Sequence, residues 1–353
     1  MTKKTSLIIL SLLLFGILTI VGLNKISIDI KAKNNNFSRL FPPHFLNNPK
    51  MMDVKYNSYY IAGLTPSHIY LGNNTAPSYM LITNYSLTDS NALRLRIPDN
   101  GERIVQPALQ LSVDSPSIYL SDGNSSAVLY STLPSLNLSL HKPDSINNFN
   151  KFIGLPTNSY LVRTYDTSFK RNVLIKEFIY SKQIIRSSNI LEKQIDGFFC
   201  TDGMINYSAE LGWIVYVYYY RNQFICTDAN LNILYRGKTI DTIEHAKIRV
   251  ASIESENSTT LSAPPLTVNK KSCVSGNWLF INSGLLSSNE DAKAFNNSSV
   301  IDMYSLKDGR YHFSFYLPDL NRKKINHFKV YHNTLIAIYD HFLMTFTLNL
   351  LDN

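Results

Sequence analysis

The chain has 353 residues, 44% hydrophobic and 17% charged, a balance that excludes wholesale disorder and fits two average domains or one large β domain. Basic residues number 34 against 26 acidic ones, a formal charge of +8, but they fall in ones and twos, which argues against a nucleic-acid-binding face. Tyr (22) and Phe (18), alongside many Ile, Val and Thr, favour strands over helices.

The first element follows Lys3 and Lys4. Residues 6–23, "SLIILSLLLFGILTIVGL", carry no charge and reach the short end of what spans a bilayer as a helix. A cleaved signal would have a shorter apolar region and an Ala-x-Ala-like exit; here the exit residues are Ile20 and Gly22, and no Cys follows to carry a lipid. The reading is a cytoplasmic stub (1–5), an uncleaved transmembrane anchor (6–23) and an exported remainder, with secretion after cleavage as the alternative. Lys25, Lys31 and Lys33 on the far side blunt the charge rule that sets this orientation. "KISIDI" (25–30) alternates and predicts an edge strand. Residues 31–52, rich in Asn, Lys and Pro, read as part of a tether over 24–54 that leads into a folded domain at 55–353.

Beyond Tyr59 short apolar runs alternate with Asn, Asp, Ser and Gly, and no long amphipathic helix is predicted. "SHIYLG" at Ser67 returns as "PSIYLS" at Pro116: Ile69 and Ile118 stand 49 residues apart, as do Ser86 and Ser135. Trp213 opens three strands, "WIVYVYYY", "QFICT" and "NILYRG", joined by tight turns at Arg221-Asn222 and Asp228-Ala229-Asn230. A polar insert, "ESENSTTLSAPPLTVNKK" (254–271), precedes a hairpin whose turn is Lys307-Asp308-Gly309 and whose strands pair around Tyr304 and Tyr311. "HFKVY", "TLIAIY" and "FLMTFTLNL" close the chain as a second meander, with Phe342, Met344, Phe346 and Leu348 on one face.

Unit starts near Ser67, Pro116, Asn158, Leu211, Gly276 and Asn333 recur at roughly forty to sixty-five residues, the period of a propeller blade. One small sheet cannot bury both faces, so sheets packed around an axis are the expected solution. The fold expected is an all-β propeller of six four-stranded antiparallel meanders, or seven if a blade hides in 174–194. A large sandwich or two small β domains is the rival.

The hairpin "VIDMYSLKDGRYHFSFYLP" resembles the outer strands of six-bladed TolB-like and NHL-type propellers, and residues 55–350 resemble exported or membrane-anchored propellers of bacterial cell envelopes. That resemblance implies a binding or scaffold protein and carries over no catalytic residue.

Chemistry is sparse. No Gly-x-Ser-x-Gly elbow, Walker loop or Gly-x-Gly-x-x-Gly occurs, and "SLKDG" lacks the Thr-Trp of an Asp-box. The eight histidines (His44, His68, His141, His245, His312, His327, His332 and His341) form no His-Glu-x-x-His. Cys200, Cys226 and Cys273 permit at most one disulfide, Cys200 with Cys226 being the candidate pair, and include no Cys-x-x-Cys. Tyr59, Tyr60, Tyr218, Tyr220 and Tyr316 are candidate interface aromatics, with burial between packed sheets as the competing explanation.

These observations predict no catalytic or metal residues, no cofactor and no nucleic-acid partner. The function expected is non-catalytic recognition of a protein, peptide or glycan by loops on one end of the ring. The alternative is a hydrolase or lactonase with one Ca2+ or another divalent ion in the central tunnel, a reading that needs carboxylates converging there.

Overall fold

Strand β1 (Leu46–Asp53) follows the leading helix α1 (Lys3–Lys33), yet it pairs with the end of the chain and not with its sequence neighbours. The computed structural model describes residues 3–33, 35–99, 108–143, 146–181, 183–253 and 258–349. It contains six four-stranded antiparallel sheets.

Blade 1 is β2 (Tyr59–Leu64), β3 (His68–Asn73), β4 (Tyr79–Asn84) and β5 (Ser90–Arg94). Blade 2 is β6 (Gln110–Asp114), β7 (Ser117–Asp122), β8 (Ala127–Thr132) and β9 (Ser139–His141). Blade 3 is β10 (Lys151–Leu155), β11 (Ser159–Asp166), β12 (Arg171–Phe178) and β13 (Ile184–Ser187). Blade 4 is β14 (Gly203–Ser208), β15 (Trp213–Tyr218), β16 (Gln223–Thr227) and β17 (Ile233–Lys238). An extra hairpin, β18 (Val250–Ile253) and β19 (Ser258–Leu261), leads to blade 5: β20 (Asn269–Ser275), β21 (Trp278–Ser283), β22 (Ser298–Ser305) and β23 (Tyr311–Pro318). A short helix, α2 (Ala292–Asn296), interrupts the β21–β22 connection. Blade 6 joins β24 (His327–Tyr331), β25 (Thr334–Tyr339) and β26 (Phe342–Leu348) to β1, which supplies its outer strand.

The six unit starts read from sequence all fall at the turn ahead of a blade's second strand, so the count of six holds and the phase is one strand late. Residues 174–194 hide no seventh blade; they contribute β12 and β13 to blade 3. Tyr304 pairs with Tyr311 as the hairpin reading expected.

One apolar cluster fills each junction between neighbouring blades, including the junction of blades 6 and 1, where Ile336, Ile338 and Leu343 meet Ile61, Ile69 and Leu71. Strand alternation divides a single strand between two clusters. Leu279 and Ile281 of β21 pack towards blade 4, while Phe280 between them packs towards blade 6. The second strands are therefore apolar on both faces and read as unbroken hydrophobic runs.

Residues 31–52, read as tether, belong largely to the ring. The backbone N–H of Ser314 on β23 donates to the Leu40 carbonyl at 2.7 Å, and Phe41 stacks on Tyr316 with ring centroids 4.6 Å apart. Between them Arg39, only 2% exposed, donates to both carboxylate oxygens of Asp302 (2.7 and 3.1 Å), to Glu290 (2.6 Å) and to the Leu285 carbonyl (2.9 Å). Seven residues after Arg39, β1 runs antiparallel to β26 from Leu46 opposite Leu348 to Asp53 opposite Phe342. An irregularity between Asn47 and Lys50 accommodates Pro49, which an outer strand tolerates because that strand has no further neighbour to bond.

"KISIDI" is helical, continuing α1 and not forming an edge strand. The described side chains of the apolar run, Ile8 to Leu23, are almost all exposed, whereas those of Ser6 and Leu7 lie outside the described residues. The eighteen-residue run 6–23, wholly within α1, rises roughly 27 Å against a hydrocarbon core of about 30 Å. Among the described residues, no helix is long and apolar enough to cross a membrane. The transmembrane anchor expected from sequence is thus not reproduced as such, and what the structure describes is a helix with an apolar, exposed surface.

Candidate functional site

Two concave features dominate the ring. The first is the axial channel, a cavity of about 410 Å³ lined by the first strand of every blade: β2, β6, β10, β14, β20 and β24. Polar alternation along these strands is what opens it, since their outward residues fill the junction cores and the remaining positions face the axis.

Four lysines line the channel (Lys151, Lys270, Lys271 and Lys329) together with a single carboxylate, Asp114. Lys270 and Lys271 stand beside an irregularity in β20 between Asn269 and Lys271, Lys271 half-buried and Lys270 exposed. Lys151 donates to the Tyr219 hydroxyl at 3.3 Å. Lys270, Lys271 and Lys329 form no hydrogen bond or ion pair among the described residues. Burial lowers the pKa of Lys329, against the opposing pull of Cys273 and Asp114, and burial likewise lowers that of Lys271. Lys270 is lowered by burial and then by repulsion from Lys324 and Lys271. Asp114 is pushed up by burial, with Lys329 acting in the opposite sense.

His327, also on the channel wall, accepts the Ile61 N–H on Nδ1 at 3.0 Å, so the bridge from blade 6 to blade 1 needs a neutral ring. Burial first, then Lys329 and Lys271, push its pKa down to about 3.

The second feature is a larger cleft of about 710 Å³ on one end of the ring. Its walls are the connection between blades 4 and 5 (Thr242, Ile243, His245, Leu266), the β21–β22 connection with Phe295 of α2, and Asn35. Asn35 is fixed there by its side-chain amide, which donates to the Leu286 carbonyl at 2.7 Å. Ile243 and Leu285 of its lining pack behind the surface against the buried Phe37 and Val268.

The aromatic residues singled out from sequence do not converge on either feature. Tyr218 is 1% exposed in the junction of blades 3 and 4, where its ring lies 3.6 Å from the Arg221 guanidinium. Tyr59 packs in the junction of blades 6 and 1, Tyr220 packs beside Cys200 and Ala246, and Tyr316 is covered by Phe41. Tyr60 alone borders the channel: its hydroxyl accepts the Leu111 N–H at 2.5 Å across blades 1 and 2, and burial pushes its pKa up to about 12. Packing between sheets accounts for Tyr59 and Tyr218.

The candidate disulfide is not formed. Cys200, Cys226 and Cys273 are free and buried, with Cys226 in the junction of blades 4 and 5 and Cys200 in a separate cluster under the β18–β19 hairpin.

The C-terminal histidines go separate ways. His312 packs on Trp278, His332 on Tyr331 and His341 on Asp53 (2.8 Å), while His327 serves the channel wall. Among the described residues, no group of three or more His, Cys, Asp or Glu could hold a metal ion. A divalent ion of the lactonase kind does not fit the channel, because its donor set is one carboxylate among four ammonium groups.

Sequence reasoning missed the channel lysines and the cleft. The lysines lie singly or in a pair on strands far apart in the chain, and only the strand-by-strand phase of the ring would have placed them inside. The cleft had one visible signal, the polar insert at 254–271, which lengthens the only connection with its own hairpin among the described residues.

No family model matches the sequence, and no curated protein matches it. Solved structures do match. A DUF4221 family member from Bacteroides vulgatus aligns at 10% identity with a TM-score of 0.54, over 89% of this chain and 98% of its own. A protein of Bacteroides fragilis described as exported aligns at 12% identity with a TM-score of 0.53, also over 89% of this chain and 98% of its own. At such identity the likeness is one of fold: the chain is a six-bladed β-propeller similar in architecture to these bacterial proteins.

Proposed function

We propose that the chain is a non-catalytic, extracytoplasmic binding module of the cell envelope, which takes a protein, peptide or glycan ligand in the cleft between blades 4 and 5. The observation that carries this reading is where the ring departs from its repeat. The connection between blades 4 and 5, which carries the β18–β19 hairpin, walls the larger cavity through Thr242, Ile243, His245 and Leu266, together with α2 and Asn35. Propeller scaffolds are rigid, and loops raised on a rigid scaffold are where recognition concentrates. The cleft volume falls in the range of ligand pockets, and its apolar lining with His245, Asn35 and Thr242 at the walls is suited to a partly polar ligand.

The test is binding of the full chain, held in detergent, to peptide and glycan arrays. Replacing Leu266 or Phe295 by Arg should reduce retention at least tenfold with little change in melting temperature. Retention unaffected by both substitutions would overturn the cleft assignment.

The N-terminal helix fits the same reading as an anchor, since its exposed apolar run follows Lys3 and Lys4. The expected outcome is that alkaline carbonate leaves the protein in the membrane pellet. Release as a chain shortened near residue 23 would instead establish a cleaved signal.

A further inference from the structure

The channel lysines have no part in the cleft and call for their own explanation. An ammonium group taken out of water without a counter-charge is unfavourable unless something compensates it. Asp114 can compensate one at most, and it forms no ion pair within 4.0 Å of any of the four lysines among the described residues. Lys329 and Lys271 are half-buried where they border the channel, and both act on the neighbouring His327. Lys270, which also borders the channel, adds to this positive field. Hydroxyl and amide groups stand in the same wall: Ser112, Ser272 and Asn206, the last donating to Ser272 Oγ at 2.8 Å.

We propose that the axial channel is a binding site for a compact oxyanion of the phosphate class, carrying two or more negative charges, held by Lys271 and Lys329 with Lys151 and Lys270 reinforcing them. Lysines and no arginine line the channel, so the site presents point charges in place of planar forks and selects charge density over the bidentate geometry of a single carboxylate. A cavity of about 410 Å³ admits an inorganic phosphate or a small phosphorylated sugar and is too small for a folded partner.

Isothermal titration of the full chain at fixed ionic strength tests the assignment, with inorganic phosphate and a hexose phosphate as probes and chloride as the control. One saturable site per chain is expected for at least one phosphate probe and none for chloride; binding of the hexose phosphate alone would mean that the anion is carried on a sugar. Lys271→Met and Lys329→Met should each weaken binding tenfold or more, while Lys307→Met, on an exposed turn, should leave it unchanged. Asp114→Asn removes the only opposing carboxylate and should tighten binding severalfold, which keeps the test decisive if a lysine variant folds poorly. Absence of a saturable site, equal binding of chloride, or insensitivity to both Lys329→Met and Asp114→Asn would overturn the proposal.

Discussion

His327 shows how a residue type that suggests chemistry can be absorbed by architecture. Its ring accepts a backbone N–H across a blade junction and is held neutral beside Lys329 and Lys271. Its folded pKa of about 3 lies below the ordinary value of 6.5, so the unfolded chain binds the extra proton first. The stability contributed by the neutral ring is complete above pH 6.5 and declines as the pH falls towards 3. Lowering the pH from 7 to 5 should cost about 2 kcal/mol through this group alone. Urea denaturation of the wild type and His327→Asn at both values checks it, the variant losing measurably less. Nothing in the local sequence around His327 announces this role, because its partner Ile61 lies 266 residues away. The eight histidines could be read only by spacing, and spacing could not reveal a wall position.

At the scale of strands, fit between blades depends on a few close approaches of backbone to ring. A Cβ on Gly237 of β17 would stand 2.1 Å from Cζ of the buried Phe224 on β16. Gly237→Val should therefore destabilise the protein by about 1–3 kcal/mol through overpacking, measurable as a lowered denaturation midpoint. Pairing this substitution with Phe224→Leu should recover part of the loss. The strands themselves were largely legible: the meanders over 213–238 and 327–348 and the Asp-Gly hairpin of blade 5 appear where alternation and turn chemistry place them. β1 was not legible. "LNNPKMMD" has neither alternation nor β-branched residues, and only the edge of β26 makes it a strand. The candidate interface aromatics do not gather on one surface: Tyr218 is buried, and Tyr59, Tyr60, Tyr220 and Tyr316 are half-buried at separate places in the ring. A strand packed on both faces takes up many tyrosines in blade junctions, so their abundance alone does not mark a surface.

For the whole molecule, the decisive contacts join segments about three hundred residues apart. Arg39 fastens the N-terminal strap to blade 5 through Asp302 and Glu290, and β1 completes blade 6. Arg39→Ala leaves two carboxylates buried without their cation, an arrangement that should lower stability by about 3–5 kcal/mol. Chemical denaturation monitored by tryptophan fluorescence provides the measurement, since Trp278 sits on blade 5. A loss below 1 kcal/mol would show that the strap is dispensable. This strap was read from sequence as a linker because Asn, Lys and Pro dominate it, and composition carries no information about partners so distant. The ring count, by contrast, was legible because the repeat is written locally in every blade.

The pairing of β1 with β26 also sets an order of events in biosynthesis. Blades 1 to 5 take their strands from contiguous sequence and can form as the chain emerges, but the sixth stays one strand short until residue 348 is available to meet residue 46. Until then the N-terminal strand Leu46–Asp53 has no mate, and a ribosome stalled anywhere in the final twenty residues would release an open horseshoe, sticky at both tips and a ready substrate for quality-control proteases.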